Sequence, residues 1–435
     1  MIRGWMTPWV LLAVPALGSV LGLLLWSSLH RMKTCALTTT VASLLVVIGV
    51  SWTQAERLAD VPLLCLLPIA AFFSLLGQPR HPDNRLAWVI TLILLGLGLG
   101  ILTSQEPARR FLLAILLGLL CGLLSRSRHG ASSETWRGLG SFGLGMASTL
   151  LTLVLPEPAS TVPALVTCAT LLPLLPLQGG FVAALTQLPG NLPAFAVVLL
   201  PMVGFHGLRV LLPDLTPAIL HTLAILALVG AFYGSLQAWI QTRPSFRLAY
   251  AGVAFLSLLW WYTADTGVAS LHTTVYLSAV VLASSGLLLA WYVVRARYGD
   301  IDARSLGGMA YPMPRFSTLL ALLALAALGM PPFGVYTGLV GMLLSPEFSP
   351  SGPFFLIMVV WLLSSWYFME LVQWLVFGRR RADLRYEDLH HTEFASLMIV
   401  LILLLALGTA PSRLFQSNVL LSPSPVAMKD GIWTP

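Results

Sequence analysis

Residues 316–344 read FSTLLALLALAALGMPPFGVYTGLVGMLL. No charged side chain occurs in this stretch, and a membrane-spanning helix needs about 20 consecutive apolar residues. The run is long enough, yet Gly329-Met330-Pro331-Pro332 lies near its middle. Proline removes a backbone donor and clashes with the preceding turn. The expected structure is therefore an apolar helix that crosses a bilayer in two pieces. The carbonyls freed at the break need water, a polar side chain or an ion.

A second interruption covers 173–193. It reads Pro-Leu-Leu-Pro-Leu-Gln-Gly-Gly and, further on, Leu-Pro-Gly-Asn-Leu-Pro. Discontinuous helices at mid-bilayer point to transport sites. Two of them, in comparable halves of the chain, also hint at an internal repeat. Pro176, Gln178, Pro331 and Pro332 are the residues that mark the two breaks.

Composition agrees with a membrane protein. Hydrophobic residues make up 57% of the 435 and charged residues 9%, where soluble domains carry roughly 25% charged. The pattern resolves into about fourteen apolar runs, from 9–29 to 393–411, so the fold class is all-α and membrane-embedded. The first run begins near Pro8 and many follow, which reads as a first span and not a cleaved leader.

The net charge of +7 does not point to nucleic acid. The arginines sit in short loops between apolar runs. Loops 30–34, 79–86, 126–137, 241–247, 295–315 and 379–392 each hold two or more basic residues. The alternate loops 156–161, 213–216, 265–267 and 345–353 hold none, and 104–110, with Arg109 and Arg110, is the exception. Basic loops stay in the cytoplasm, so both termini are expected outside, in an inner (cytoplasmic) membrane of prokaryotic type.

Several segments resemble the antiporter-like subunits of respiratory complex I and the Mrp antiporters. Leu175-Pro176-Leu177-Gln178 is similar to the motif that leads into their broken seventh helix. Gln241-Thr242 with Leu248-Ala249-Tyr250 resembles a loop of that family. Leu306-Gly307-Gly308-Met309 and Pro312-Met313-Pro314 look like the run before its twelfth helix. Gly329-Met330-Pro331-Pro332-Phe333 is similar to the break in that helix, and Leu407-Gly408-Thr409-Ala410-Pro411 resembles the end of the last helix. The resemblance covers an antiporter-like core, 161–415. The N-terminal helices, 1–160, match in hydropathy only, and 416–435 is a polar C-terminal tail.

The resemblance implies protons relayed through buried lysines. This chain has two lysines, Lys33 and Lys429, and neither is placed in an apolar helix by the sequence. The positions of the family's lysines fall on Leu171, on about Leu339 and between Leu277 and Val280. The glutamate of the fifth helix has no counterpart in 111–125. Leucine has no ionisable group whose pKa an environment could move.

A few ionisable groups remain within apolar runs, where such groups are functional candidates by default. They are His206, Arg209, His221, His272 and Glu370. Histidine is the residue type suited to proton relay, and the three are expected in the outer half. Glu370 lies deep in its run. The four cysteines, Cys35, Cys65, Cys121 and Cys168, and the pair His390-His391 form no metal-ligand spacing. No phosphate loop, flavin fingerprint or nicotinamide fingerprint occurs, so no cofactor or metal is expected.

Three functions fit. One is a subunit of a complex-I-like assembly that couples a partner's reaction to proton or cation movement, beside other membrane and peripheral subunits and the lipid bilayer. Another is a non-conducting scaffold of such a complex. The third is the membrane part of an inorganic-carbon or other small-solute transporter.

Overall fold

The computed structural model describes residues 2–53, 61–79, 81–126, 132–299, 302–345, 353–378 and 386–411. The C-terminal tail assigned to 416–435, together with loop residues 54–60 and 379–385, lies outside these. The described residues contain sixteen α-helices and no β-strand. They are α1 (Ile2–Leu24), α2 (Leu29–Thr53), α3 (Val61–Leu76), α4 (Arg85–Thr103), α5 (Ala108–Ser125), α6 (Ser133–Val154), α7 (Thr161–Leu171) and α8 (Gly179–Gln187). Then follow α9 (Leu192–Leu211), α10 (Pro217–Ile240), α11 (Pro244–Thr266), α12 (Leu271–Tyr298), α13 (Pro314–Leu328), α14 (Gly334–Leu343), α15 (Pro353–Val372) and α16 (His391–Thr409).

Eight helices among the described residues are long and apolar enough to cross a membrane. Helices apolar on every side belong in a core. Accordingly α9, α11 and α12 are buried along most of their length, around Phe195, Trp260, Tyr262 and Tyr276. The periphery is apolar too: Leu45, Phe111, Leu362 and Phe355 are exposed. An apolar outer surface on this scale suits hydrocarbon and not water.

Both interruptions are present, but the first is shorter than the sequence implies. α7 ends at Leu171 and the chain is helical again from Gly179 to Gln187. The sequence reading, 173–193, took the glycine pair for a breaker. Gly179 and Gly180 instead let α8 lie close to α6, where an added Cβ would come within 3.1 Å of the Arg137 carbonyl and 2.8 Å of the Phe142 ring. Small residues allow this closeness between membrane helices.

The second break falls where expected, between α13 and α14. Gly329 closes α13 at φ +80°. Its N–H donates to Ala326 and the Met330 N–H donates to Leu325, which is a Schellman close.

At each break one freed carbonyl has an indole donor. The Trp260 indole of α11 donates to the Leu172 carbonyl at 3.0 Å. The Trp361 indole of α15 donates to the Leu328 carbonyl at 2.7 Å. Each broken helix thus has an indole N–H on a carbonyl at the end of its first half.

Candidate functional site

Glu370 lies late in α15, and its charge is met from α11. Pro244 opens α11, and the fixed φ of proline suits a first helical turn. Arg247 follows in that turn, which turns its side chain inward; it is 1% exposed. Its Nη2 stands 3.0 Å from Glu370 Oε2. Nε donates to the Gln241 carbonyl at 3.0 Å, Nη1 to the Tyr367 carbonyl at 3.0 Å and Nη2 to the Trp239 carbonyl at 3.3 Å. Guanidinium suits this role because it offers five N–H donors in a rigid fork. One side chain therefore joins the end of α10, the start of α11 and the last turns of α15.

Below the pair, α15 widens into a π-turn, Gln373–Phe377. Single π-turns are frequent at functional sites. Carbonyls of this turn accept N–H groups from the Gly-Gly-Met loop: Met309 donates to Leu375 and Ala310 to Val376, both at 3.1 Å. Trp374 carries two guanidinium groups, Arg247 at 4.3 Å and Arg304 at 4.5 Å from the ring centroid. Glu370 keeps 23% exposure and lines a groove of about 830 Å³ with Trp239, Leu362, Trp366 and Trp374.

The histidines are not assembled with this pair. His206 lies about 21 Å along α9 from Leu192, at 1.5 Å per residue, toward the end of the bundle opposite Arg247. Arg209 is in the last turn of α9. His221 is exposed near the start of α10. His272 opens α12 and packs on Gly341 of α14, where a Cβ would come 2.2 Å from its Nδ1. Among the described residues no group of three or more His, Cys, Asp or Glu side chains is placed to hold a metal ion. Gln178 caps no helix end with its side chain. Pro176, Pro331 and Pro332 are exposed.

Lys33 corrects the sequence reading, which left it in a loop. It lies in the first turns of α2, 5% exposed. Its Nζ donates to the carbonyls of Leu76 and Gln78. Beside it, the Tyr292 hydroxyl donates to Asn84 Oδ1 at 3.3 Å and the Asn191 amide donates to the Ser74 carbonyl at 2.9 Å. Leu171, Leu339 and the four residues from Leu277 to Val280, where the resemblance places lysines, are all buried.

Residues 159–365 match the sequence family described as NADH:quinone oxidoreductase/Mrp antiporter, transmembrane. Subunit M of the NADH-quinone oxidoreductase of Escherichia coli K12 is 26% identical over 267 residues, covering 58% of this chain and 51% of that protein. Over these regions the chain is similar to the antiporter-like membrane subunits. Chain 4 of an NAD(P)H-quinone oxidoreductase from Synechococcus JA-3-3Ab is 24% identical over 423 residues, covering 85% of this chain and 78% of that one.

The chain spans about half the length of the E. coli relative it matches. Its fold is that of a chain in respiratory complex I from Thermus thermophilus, with a TM-score of 0.77 at 18% identity over 93% of this chain and 97% of that one. A chain of an archaeal membrane-bound sulfane sulfur reductase gives 0.78 at 14% identity, covering 94% and 95%. The two broken helices therefore sit inside a fold shared with these chains, and the chain is an integral membrane protein.

Sequence reasoning found Glu370 but missed Arg247, Trp374 and Arg304. In the sequence Arg247 reads as one of the basic residues of loop 241–247. Its place three residues after Pro244 is the available signal, since proline favours the first position of a helix and so puts Arg247 in a helical turn and not in a loop.

Proposed function

We propose that the chain is a membrane subunit of a complex-I-like assembly, coupling a partner's reaction to proton or cation movement. The Arg247–Glu370 pair is its ionisable element. The reading rests on one observation: a carboxylate inside an apolar helix, held at 3.0 Å by a buried guanidinium, in a chain similar to the antiporter-like subunits. Charged groups at membrane depth are costly and tend to mark ion routes.

In this reading α7–α8 and α13–α14 each make one interrupted crossing, so the chain crosses fourteen times. The arginine-rich ends, with Arg247, Trp374 and Lys33, face the cytoplasm of a prokaryotic cell, and both termini lie outside. His206, Arg209, His221 and His272 serve the outer side. The breaks at Pro176–Gln178 and Pro331–Pro332 lie between the two sides. Neighbouring membrane and peripheral subunits supply the driving reaction.

Glu370→Leu and His206→Leu should each abolish coupled ion movement in the assembled complex. Removing one partner of a buried ion pair costs about 3–5 kcal/mol. The double variant Arg247→Met with Glu370→Met therefore accompanies the single one, removing the unpaired charge while still deleting the route. If Glu370→Leu, His206→Leu and the double variant all assemble and the complex moves ions at full rate, the route lies elsewhere. The chain is then a scaffold, a reading favoured by the buried, non-ionisable residues at 171, 277–280 and 339.

A further inference from the structure

The groove beside Glu370 has a chemical profile of its own. It is bounded by α10 and α15 and opens on the outer face of the bundle, where Leu362 is 72% and Trp366 63% exposed. From Gln373 to Leu362 it follows α15 for about 16 Å, at 1.5 Å per residue. One end is apolar throughout. The other end reaches Trp374 and the loop that carries Arg304, which is exposed and stacked on the Trp374 ring at 4.5 Å. Arg295, Arg297 and Arg315 lie at the same end of the bundle. Arginines and tryptophans gathered at helix ends mark the headgroup level.

An occupant must suit both ends. The apolar length fits an acyl chain. At the Trp374 end two opposite charges lie near the ring: the Arg304 guanidinium, and the Glu370 carboxylate beside Arg247. A phosphate fits the guanidinium. A headgroup with no cation would leave the carboxylate facing an anion, and like charges repel. A headgroup with an ammonium meets both. A transmembrane helix from a neighbour would account for the apolar walls but not for the exposed arginine stacked on Trp374.

We propose that this groove is a binding site for one aminophospholipid, with its phosphate on Arg304, its ammonium toward Glu370 and an acyl chain along Trp239, Trp366 and Leu362. The proposal rests on the membrane location of the chain and not on the ion route, so its failure leaves that route untouched.

The test counts retained lipid. The assembly that contains the chain is stripped of lipid and reconstituted in nanodiscs holding equal phosphatidylethanolamine and phosphatidylglycerol. It is then returned to detergent and weighed by native mass spectrometry. Wild type should retain one phosphatidylethanolamine that Arg304→Gln retains several-fold less often. Glu370→Gln should lower the preference for phosphatidylethanolamine over phosphatidylglycerol. Leu362→Trp, which fills the apolar end without touching a charge, should displace the lipid in an assembly that still forms. Equal retention of the two lipids in wild type, unchanged by Arg304→Gln and Leu362→Trp, would overturn the proposal. So would a map of the assembly with a protein helix in the groove.

Discussion

The two broken helices look alike in sequence and differ in where the fold puts them. Each is apolar, each is interrupted by proline, and at each an indole N–H meets the end of the first half. The first break is largely enclosed. Leu172, Pro173 and Leu174 are buried, Ser141 of α6 donates to the Leu177 carbonyl at 2.5 Å, and α9 presses Gly204 against Leu172. The second is peripheral. Met330, Pro331 and Pro332 are exposed, and only its inner side is covered, where the Pro332 carbonyl rests on Gly408 of α16. Proline opens a helix, but the neighbouring helices decide whether the opening is sealed.

The largest test of that contrast adds a methyl group at each contact. A Cβ at Gly204 would come 2.5 Å from the Leu172 nitrogen, and one at Gly408 would come 1.8 Å from the Pro332 carbonyl oxygen. Overpacking typically costs about 1–3 kcal/mol. Gly204→Ala should reach the upper end, because the enclosed break has nowhere to move. Gly408→Ala should cost less despite the shorter distance, because the exposed break can yield outward. Thermal unfolding of the two variants in detergent measures the difference, and the reverse order would break the comparison.

The indoles come next. Trp260→Phe leaves a carbonyl buried without its donor, a loss of about 1–3 kcal/mol. Trp361 is only half-buried, so Trp361→Phe should fall nearer the ~0.6 kcal/mol average of side-chain hydrogen bonds in membrane bundles. Equal shifts in unfolding midpoint would mean that the two breaks are equally sealed.

Gly329→Ala probes a feature of the second break alone. Its φ of +80° is left-handed, where a Cβ costs about 1–2 kcal/mol. The loss should appear in unfolding while ion movement by the assembly persists. The smallest effects belong to the hydroxyls. Thr337 donates to the Gly408 carbonyl at 2.9 Å, and Ser141 serves Leu177. Thr337→Val and Ser141→Ala should each cost about 0.6 kcal/mol, with Ser141→Ala the larger because its carbonyl lies in the more enclosed region.

Much of the helical frame is legible in the chain. Apolar runs bounded by arginine, proline and glycine locate the helices because backbone in hydrocarbon must satisfy its own hydrogen bonds. The interruption at Gly329–Pro332 is legible for the same reason that proline breaks any helix. Gly179-Gly180 misled, since the same two residues can signal a break or a close contact, and only α6 beside them decides which. Lys33 misled as well. It follows Arg31 and reads as a loop cation, whereas the carbonyls of Leu76 and Gln78 draw it into the bundle. Half of the candidate site was readable, as a lone glutamate in an apolar run.

By itself the sequence determined the solvent of this protein, its helical class and the places where helices must open, because hydropathy and proline act locally. Tertiary structure decided the rest. Arg247 and Glu370 are separated by most of α11, the whole of α12, α13 and α14, and most of α15, and only the packing of α15 on α10 and α11 sets them 3.0 Å apart. The indoles on the two breaks are likewise distant in the chain. Partners of this kind cannot be read from a local pattern, since a buried charge or carbonyl is satisfied by whichever donor the packed bundle brings to it.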